Sequence, residues 1–365
     1  MQFAPLPFRA ALTEYEKQAE GLLEAHSGDA QQVVARSYDF RDWPALTEYV
    51  EAVAQDGPVF RFESAVEAVV NGDLPKLESL LRDHPNLVRA RSTRITHFDP
   101  PRHRATLLHY VAANGVEGYR QKTPKNAVEI AKTLLDAGAE VDALAEMYGG
   151  QYPALSMLVS SCHPANAGVQ VALTETLLDA GAAIEGLGSD HWRSPLLTAL
   201  AFGYLDTARA LHKRGAAVDS LPAAAGLGLL AEATRLLPGA NAESRHRAIA
   251  LAAQNGHVDV VRLLLDAGED PSRYNPEGNH SHSTPLHQAA LAGHDAVVRL
   301  LVERGASATS KTRSTRGRRK AGRSTPGIPG SPLIWDSRSD CAPGRARCAN
   351  SRPQQHTRRR SESHS

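Results

Sequence analysis

The sequence predicts an all-α solenoid of about seven stacked helix-turn-helix units behind an N-terminal helical region. Three observations carry this. One helix-pair pattern recurs along about 250 residues. Apolar residues make up 42% of the chain but aromatic ones only 5%, and the abundance of Ala and Leu suits small, closely packed helices more than a β-sandwich. Cap and stop residues also fall at regular places within the pattern.

The clearest unit is 284–306. Thr284 is a good N-cap, because its hydroxyl can accept from an orphan amide at the helix start. Pro285 stands at the first helical position, where a missing N–H costs nothing. Leu286 and the pair Ala289-Ala290 make a face that another helix can approach closely. Gly293 suits the left-handed residue that ends a short helix. Val297, Val298, Leu300 and Leu301 form the stripe of a second helix, and Gly305 stops it. Two helices this short cannot bury their own apolar surface, so the unit is stable only when stacked on others like it.

This stretch resembles an ankyrin repeat. The likeness rests on Thr284-Pro285-Leu286-His287, Ala289-Ala290, Gly293-His294, the Val-Val-x-Leu-Leu run and Gly305-Ala306. The resemblance implies protein recognition by a rigid concave surface of loop tips and first-helix inner faces. It also implies that His287, and His109 in the second unit, hydrogen-bond backbone within the turn.

From the start, residues 8–27 are predicted to form an amphipathic helix through Leu12, Tyr15, Ala19, Leu22 and Leu23, closed by Gly28. Asp29 starts a second short helix and Trp43-Pro44 a third. Residues 1–57 make the N-terminal helical region, 58–308 the repeats and 309–365 a tail. Unit one pairs Ala65-Val66 and Ala68-Val69 with Leu74, Leu77, Leu80 and Leu81, but has His84-Pro85 where Gly-Ala is expected. Units two and three, from Thr106 and Ser156, carry inserts around Glu117–Asn126 and His163–Gly168. Unit four spans Ser194 to Ala216; its spacing equals that of the last unit, since 284 − 194 and 305 − 215 are both 90. Unit five, Ala223 to Gly239, is short. Unit six covers Ala252–Gly268, and a long connection leads to the seventh.

The composition changes after Gly305. Residues 309–365 hold 14 Lys/Arg and 3 Asp/Glu, which leaves 41 − 14 = 27 basic and 40 − 3 = 37 acidic residues in 1–308. The body is therefore near −10 and the tail near +11. The tail is rich in Arg, Ser, Pro and Gly without helix or strand period, so disorder is expected. Such a composition, with no polar-faced closing unit, is also what an out-of-frame reading of a GC-rich gene would give.

The candidate partner-binding residues are Asn114, Phe202, Gln254 and Asn255, beside the turn glycines, and Tyr148, His191, Trp192, Tyr274, Asn275 and Glu277 on loop tips. Tyr and Trp on such a face are natural hot spots, and the acidic body favours a basic protein partner. Two other classes remain open. An enzyme would use the inserts, with Tyr119, Lys122, Cys162 and His163 converging in a cleft. A nucleic-acid binder would act through Arg316–Lys320 and Arg358–Arg360 of the tail. No catalytic residue, cofactor or metal is assigned: His280, His282 and His287 have no Cys or carboxylate to complete a tetrahedral set. No apolar run reaches the ~18 residues of a membrane span. Three scattered Cys and the absence of a secretory leader fit a cytoplasmic location.

Overall fold

The computed structural model describes residues 6–23, 29–187 and 194–307. The tail, its expected disorder and out-of-frame origin, and the loop-tip residues His191 and Trp192 lie outside the described residues.

Three helices form the N-terminal region: α1 (Leu12–Leu23), α2 (Ala30–Ser37) and α3 (Trp43–Ala54). α1 starts later than its period predicts, because Arg9 turns the chain at φ 66°. Asp29 and Asp42 cap α2 and α3 by accepting from Gln32 N and Ala45 N. The three helices pack around Tyr15, Val34, Tyr38, Phe40 and Leu46.

Seven helix pairs follow. Unit one is α4 (Pro58–Asn71) and α5 (Leu74–Asp83). Unit two is α6 (Leu107–Ala112) and α7 (Ala127–Asp136). Unit three is α8 (Ala154–Leu158) and α10 (Gln170–Asp179), with α9 (Cys162–Asn166) in its insert. Unit four is α11 (Pro195–Ala201) and α12 (Leu205–Lys213), and unit five α13 (Leu221–Leu227) and α14 (Leu230–Leu236). Unit six is α15 (Ala242–Gln254) and α16 (Val258–Asp266), and unit seven α17 (Pro285–Leu291) and α18 (Asp295–Glu303). The first helices stack in one row: α4, α6, α8, α11, α13, α15, α17. The second helices stack as α5–α7–α10–α12 and again as α14–α16–α18.

At His84-Pro85, the departure in unit one, α5 ends without a left-handed residue and a 3-10 turn follows over Pro85–Arg89. A feature not read from the sequence is a hairpin between units two and three, β1 (Ala145–Met147) and β2 (Gly150–Tyr152). Its two-residue turn, Tyr148-Gly149, has φ of 52° and 76°, as expected of a type I′ turn.

The core has two parts. One runs through units one to four and reaches Ala223, Leu227 and Leu251 of units five and six; the other runs through units five to seven, and Val218 packs against both. Unit five is thin. A Cβ on Gly226 would meet Leu200 Cδ1 at 2.8 Å, so α13 lies close on α11. α15 therefore reaches past it: Gln254 Nε2 donates to Ala201 O at 2.8 Å and Asn255 Nδ2 to Leu200 O at 3.1 Å.

Histidines tie unit to unit. His257 Nε2 donates to Gly226 O at 2.9 Å and His294 Nε2 to Gln254 O at 3.0 Å. The His294 ring occupies the space a Cβ on Gly256 would need, and Gly256 is left-handed at φ 84°. His109 Nδ1 accepts from Thr106 N at 3.2 Å and its Nε2 donates to Tyr152 O at 3.0 Å, which fixes a neutral tautomer. His287 makes the same Nδ1 contact with Thr284 N at 3.3 Å.

Leu264 is fully buried between stacked helices. Leu264→Ala is expected to lower unfolding free energy by about 2–4 kcal/mol in urea titration; a loss below about 0.5 kcal/mol would refute the register of unit six.

Burial of His109 pushes its pKa down to about 4 from 6.5. The folded state thus binds this proton less readily than the unfolded chain does. The associated stability is complete above pH 6.5 and is lost as pH falls toward 4. The stability advantage of the native chain over His109→Gln should shrink over that window, by an amount on the order of 3 kcal/mol. A constant difference between pH 7 and pH 4 would contradict the buried neutral imidazole.

Candidate functional site

Between units two and three, a polar chain of contacts supports an exposed aromatic. Ala113 ends α6 in the left-handed region at φ 52° and Gly115 follows at φ 73°. The sulfur of Met147 sits where a Gly115 Cβ would stand, so the hairpin packs flat on the turn. Asn114 Nδ2 donates to Ser160 Oγ at 2.9 Å, and Asn114 Oδ1 accepts from Tyr148 Oη at 2.7 Å. Tyr148, at the hairpin tip, is 42% exposed. The structure therefore brings together Asn114 and Tyr148, two of the expected partner-binding residues.

The others have different surroundings. Gln254 and Asn255 are buried and hold α15 to α11. Phe202 is half-buried, stacked on Tyr204 with ring centroids 6.4 Å apart. The connection before α17 folds back over the same place, and His280 Nε2 donates to Ala201 O at 3.2 Å. On that connection the Tyr274 carbonyl accepts from His246 Nε2 at 2.8 Å. Asn275 is buried, its N–H bound to Ser283 O, and Glu277 is exposed.

A second constellation lies where the N-terminal helices meet units one and two. The extended segment after the Pro85–Arg89 turn carries Arg94 into the interior, 1% exposed. Its guanidinium lies over the rings of Phe40 at 4.1 Å and Tyr49 at 4.4 Å. It donates to Tyr119 Oη at 2.9 Å and Tyr38 O at 3.0 Å, and it pairs with Glu117 at 3.1 Å. Arg120 is equally buried and binds Glu63 at 2.6 Å, Glu67 at 3.0 Å and Tyr49 Oη at 3.2 Å. His103 Nδ1 accepts from Ala105 N, so its Nε2–H donates to Glu117 Oε1 at 3.1 Å.

Burial alone would raise the Glu117 carboxyl, but Arg94 and His103 outweigh it and hold the group far below the ordinary carboxylate range. Burial pushes Tyr15 up to about 12 and raises Tyr119, so both phenols are neutral at pH 7. Every ionised group here is matched to a fixed partner. The arrangement clamps α3 and the insert of unit two onto α4 and offers no poised nucleophile or base.

This corrects one reading of the sequence. The insert around Glu117–Asn126, offered as material for an enzyme site, turns inward at its start: Glu117 and Arg120 are among the most buried of the described residues. The proposed enzyme residues also separate. Tyr119 packs on Arg94 and Tyr38, whereas Cys162 and His163 belong to α9, which packs on α10. Two signals for the clamp went unread. Glu63 lies three residues before Val66, on the buried side of α4. Five Arg against one Asp occur in residues 89–104.

Residues 221–312 match the family model described as ankyrin repeats (3 copies). This is an ankyrin-repeat-containing protein. The match falls on units five to seven of the stack and includes the Thr284 start. A crystal structure of the human ASB11 ankyrin repeat domain is similar at 23% identity and TM-score 0.39, over 67% of this chain and 98% of that one. The ionic clamp of this ankyrin-repeat protein lies outside the matched residues, in units one and two. Among the described residues, no helix is long and apolar enough to cross a membrane.

Removing one partner of a buried ion pair leaves the other charge uncompensated. Arg120→Ala is expected to cost about 3–5 kcal/mol in chemical denaturation. Arg61→Ala, which breaks the partly exposed pair with Asp56 at 3.1 Å, should cost less than about 1 kcal/mol. Equal losses for the two variants would show that the clamp does not bear on stability.

Proposed function

We propose that this protein is a non-enzymatic recognition module that grips a protein partner along the face made by the hairpin tip and the turn ends of the first helices. Ankyrin repeats are generally protein–protein interaction modules, and the reading builds on that. The observation that carries it is Tyr148. A half-exposed aromatic sits on a two-residue turn, its hydroxyl fixed by Asn114, which is itself fixed by Ser160. A ring held this way loses little conformational freedom when a partner covers it, which favours affinity.

Phe202, Tyr274 and Glu277 extend the proposed face; Gln254, Asn255 and Asn275 support it from beneath. His191 and Trp192 precede unit four in the sequence and are assigned to the face by that position alone. A partner with basic character fits the acidic body, near −10 over residues 1–308. The proposed location is cytoplasmic.

Affinity capture with the full chain, read by mass spectrometry, should recover a reproducible partner. Tyr148→Ala should weaken that capture at least about tenfold, since buried interface tyrosines commonly carry 1–2 kcal/mol or more. The helical circular-dichroism signal should not change. Capture that is unaffected by Tyr148→Ala, or lost together with the helical signal, would overturn the assignment of this face.

A further inference from the structure

A cleft of about 450 Å³ opens between α3 and the extended segment 91–104, on the outer side of the ionic clamp. One wall is apolar, formed by Ala45, Ala52, Val59, Tyr49 and Ile95. The rim is basic: Arg91, Arg102 and Arg104 line it, against a single lining carboxylate, Glu48. Arg94 also borders the cleft, but its charge is already spent on Glu117 and Glu63.

The rim arginines differ from many on this surface. Arg61, Arg214, Arg245 and Arg304 each pair with a carboxylate within 3.1 Å. Among the described residues, none pairs with Arg91, Arg102 or Arg104. Arg91 is nevertheless held in place, because its Nη1 donates to the carbonyls of Arg104 and Leu144. A carbonyl fixes a guanidinium without neutralising it. The side chain therefore keeps its full charge and its remaining N–H donors for a further acceptor. Arg102 and Arg104 are exposed at the rim. The cleft is a local positive site on a body that is negative overall, so an anion is drawn there against the general field.

We infer that this cleft binds an acidic polypeptide segment, with carboxylates on Arg91, Arg102 and Arg104 and a small apolar side chain against the Ala45–Ala52–Val59 wall. The forked guanidinium matches a carboxylate two bonds at a time. The mixed lining favours a peptide over a bare ion, because a bare ion would leave the apolar wall unused. The cleft lies against α3 and the segment 91–104, which meets the base of the hairpin through Arg91 on Leu144 O, whereas Tyr148 stands at the hairpin's tip. The cleft reads a chemistry opposite to that of the basic partner proposed there, so either site can fail without the other.

The test is fluorescence anisotropy of the full chain with a labelled peptide of about ten alternating Glu and Leu residues. The expected result is saturable binding that weakens as salt rises from about 50 to about 200 mM. Binding should weaken at least tenfold in the exposed double variant Arg102→Glu/Arg104→Glu, with Arg102→Glu alone intermediate. Tyr148→Ala should leave it unchanged. A Lys-Leu peptide of equal length should not bind. The inference is overturned if the double variant binds the Glu-Leu peptide as the native chain does, or if the Lys-Leu peptide binds equally. It is also overturned if only a phosphoserine peptide or inorganic phosphate competes for the cleft.

Discussion

A helix of seven residues cannot hide its own apolar side, and most of this molecule follows from that. Each first helix, such as α11, α13 or α17, is too short to be stable in isolation and is held by the helices before and after it. The demand extends to backbone groups. A short helix is mostly ends, so its free amides and carbonyls are a large share of the whole. The stack answers with side chains from neighbours: His257 on Gly226 O, His294 on Gln254 O, and Gln254 and Asn255 on the carbonyl end of α11. Helix packing runs between units more than within them, and a few side-chain hydrogen bonds cross the same joins.

The same demand arises at the start of the row, where α4 has no preceding unit. The N-terminal helices fill that place with a polar joint. Two guanidiniums, three carboxylates, a histidine and three tyrosines are taken out of water together. Desolvating such groups is costly, and it is offset only where geometry is well matched. The pairs of Arg120 with Glu63 at 2.6 Å and Glu67 at 3.0 Å meet that condition, and Arg94 adds its contacts with the Phe40 and Tyr49 rings. A joint of this kind is specific, since a shifted register would strand a buried charge. An apolar joint would tolerate sliding.

The stack was legible in the sequence because its periodicity is local. Thr-Pro-Leu-His starts, turn glycines and the paired Val-Leu stripes each report on a few adjacent residues, and helix pairs stand around those cues, although α15 of unit six begins ten residues before Ala252. The parts that were not legible depend on distant partners. Glu63, Arg94 and Arg120 look like solvated charges until the fold brings residues from four separate segments to one point. The inward turn of the insert of unit two has the same cause, since Arg120 is drawn in by Glu63 and Glu67 fifty-odd residues earlier. The hairpin escaped notice because Tyr148-Gly149 is an uncommon pair for its turn. Asn255 was legible as a turn neighbour but not as a bridge, because its target on α11 lies beyond the intervening unit.

The thin fifth unit gives residues to both apolar clusters, Ala223 and Leu227 to one and Leu221, Ala224 and Ala225 to the other, while Gln254, Asn255 and His280 add hydrogen bonds to two carbonyls across it. Apolar contacts resist displacement in every direction, whereas a hydrogen bond is strong along its axis and soft across it. At this join the apolar packing is supplemented by directional bonds, which resist being pulled apart more than they resist twist. A load applied to one end of the described stack therefore crosses its middle through both the α11–α13–α15 packing and these directional bonds.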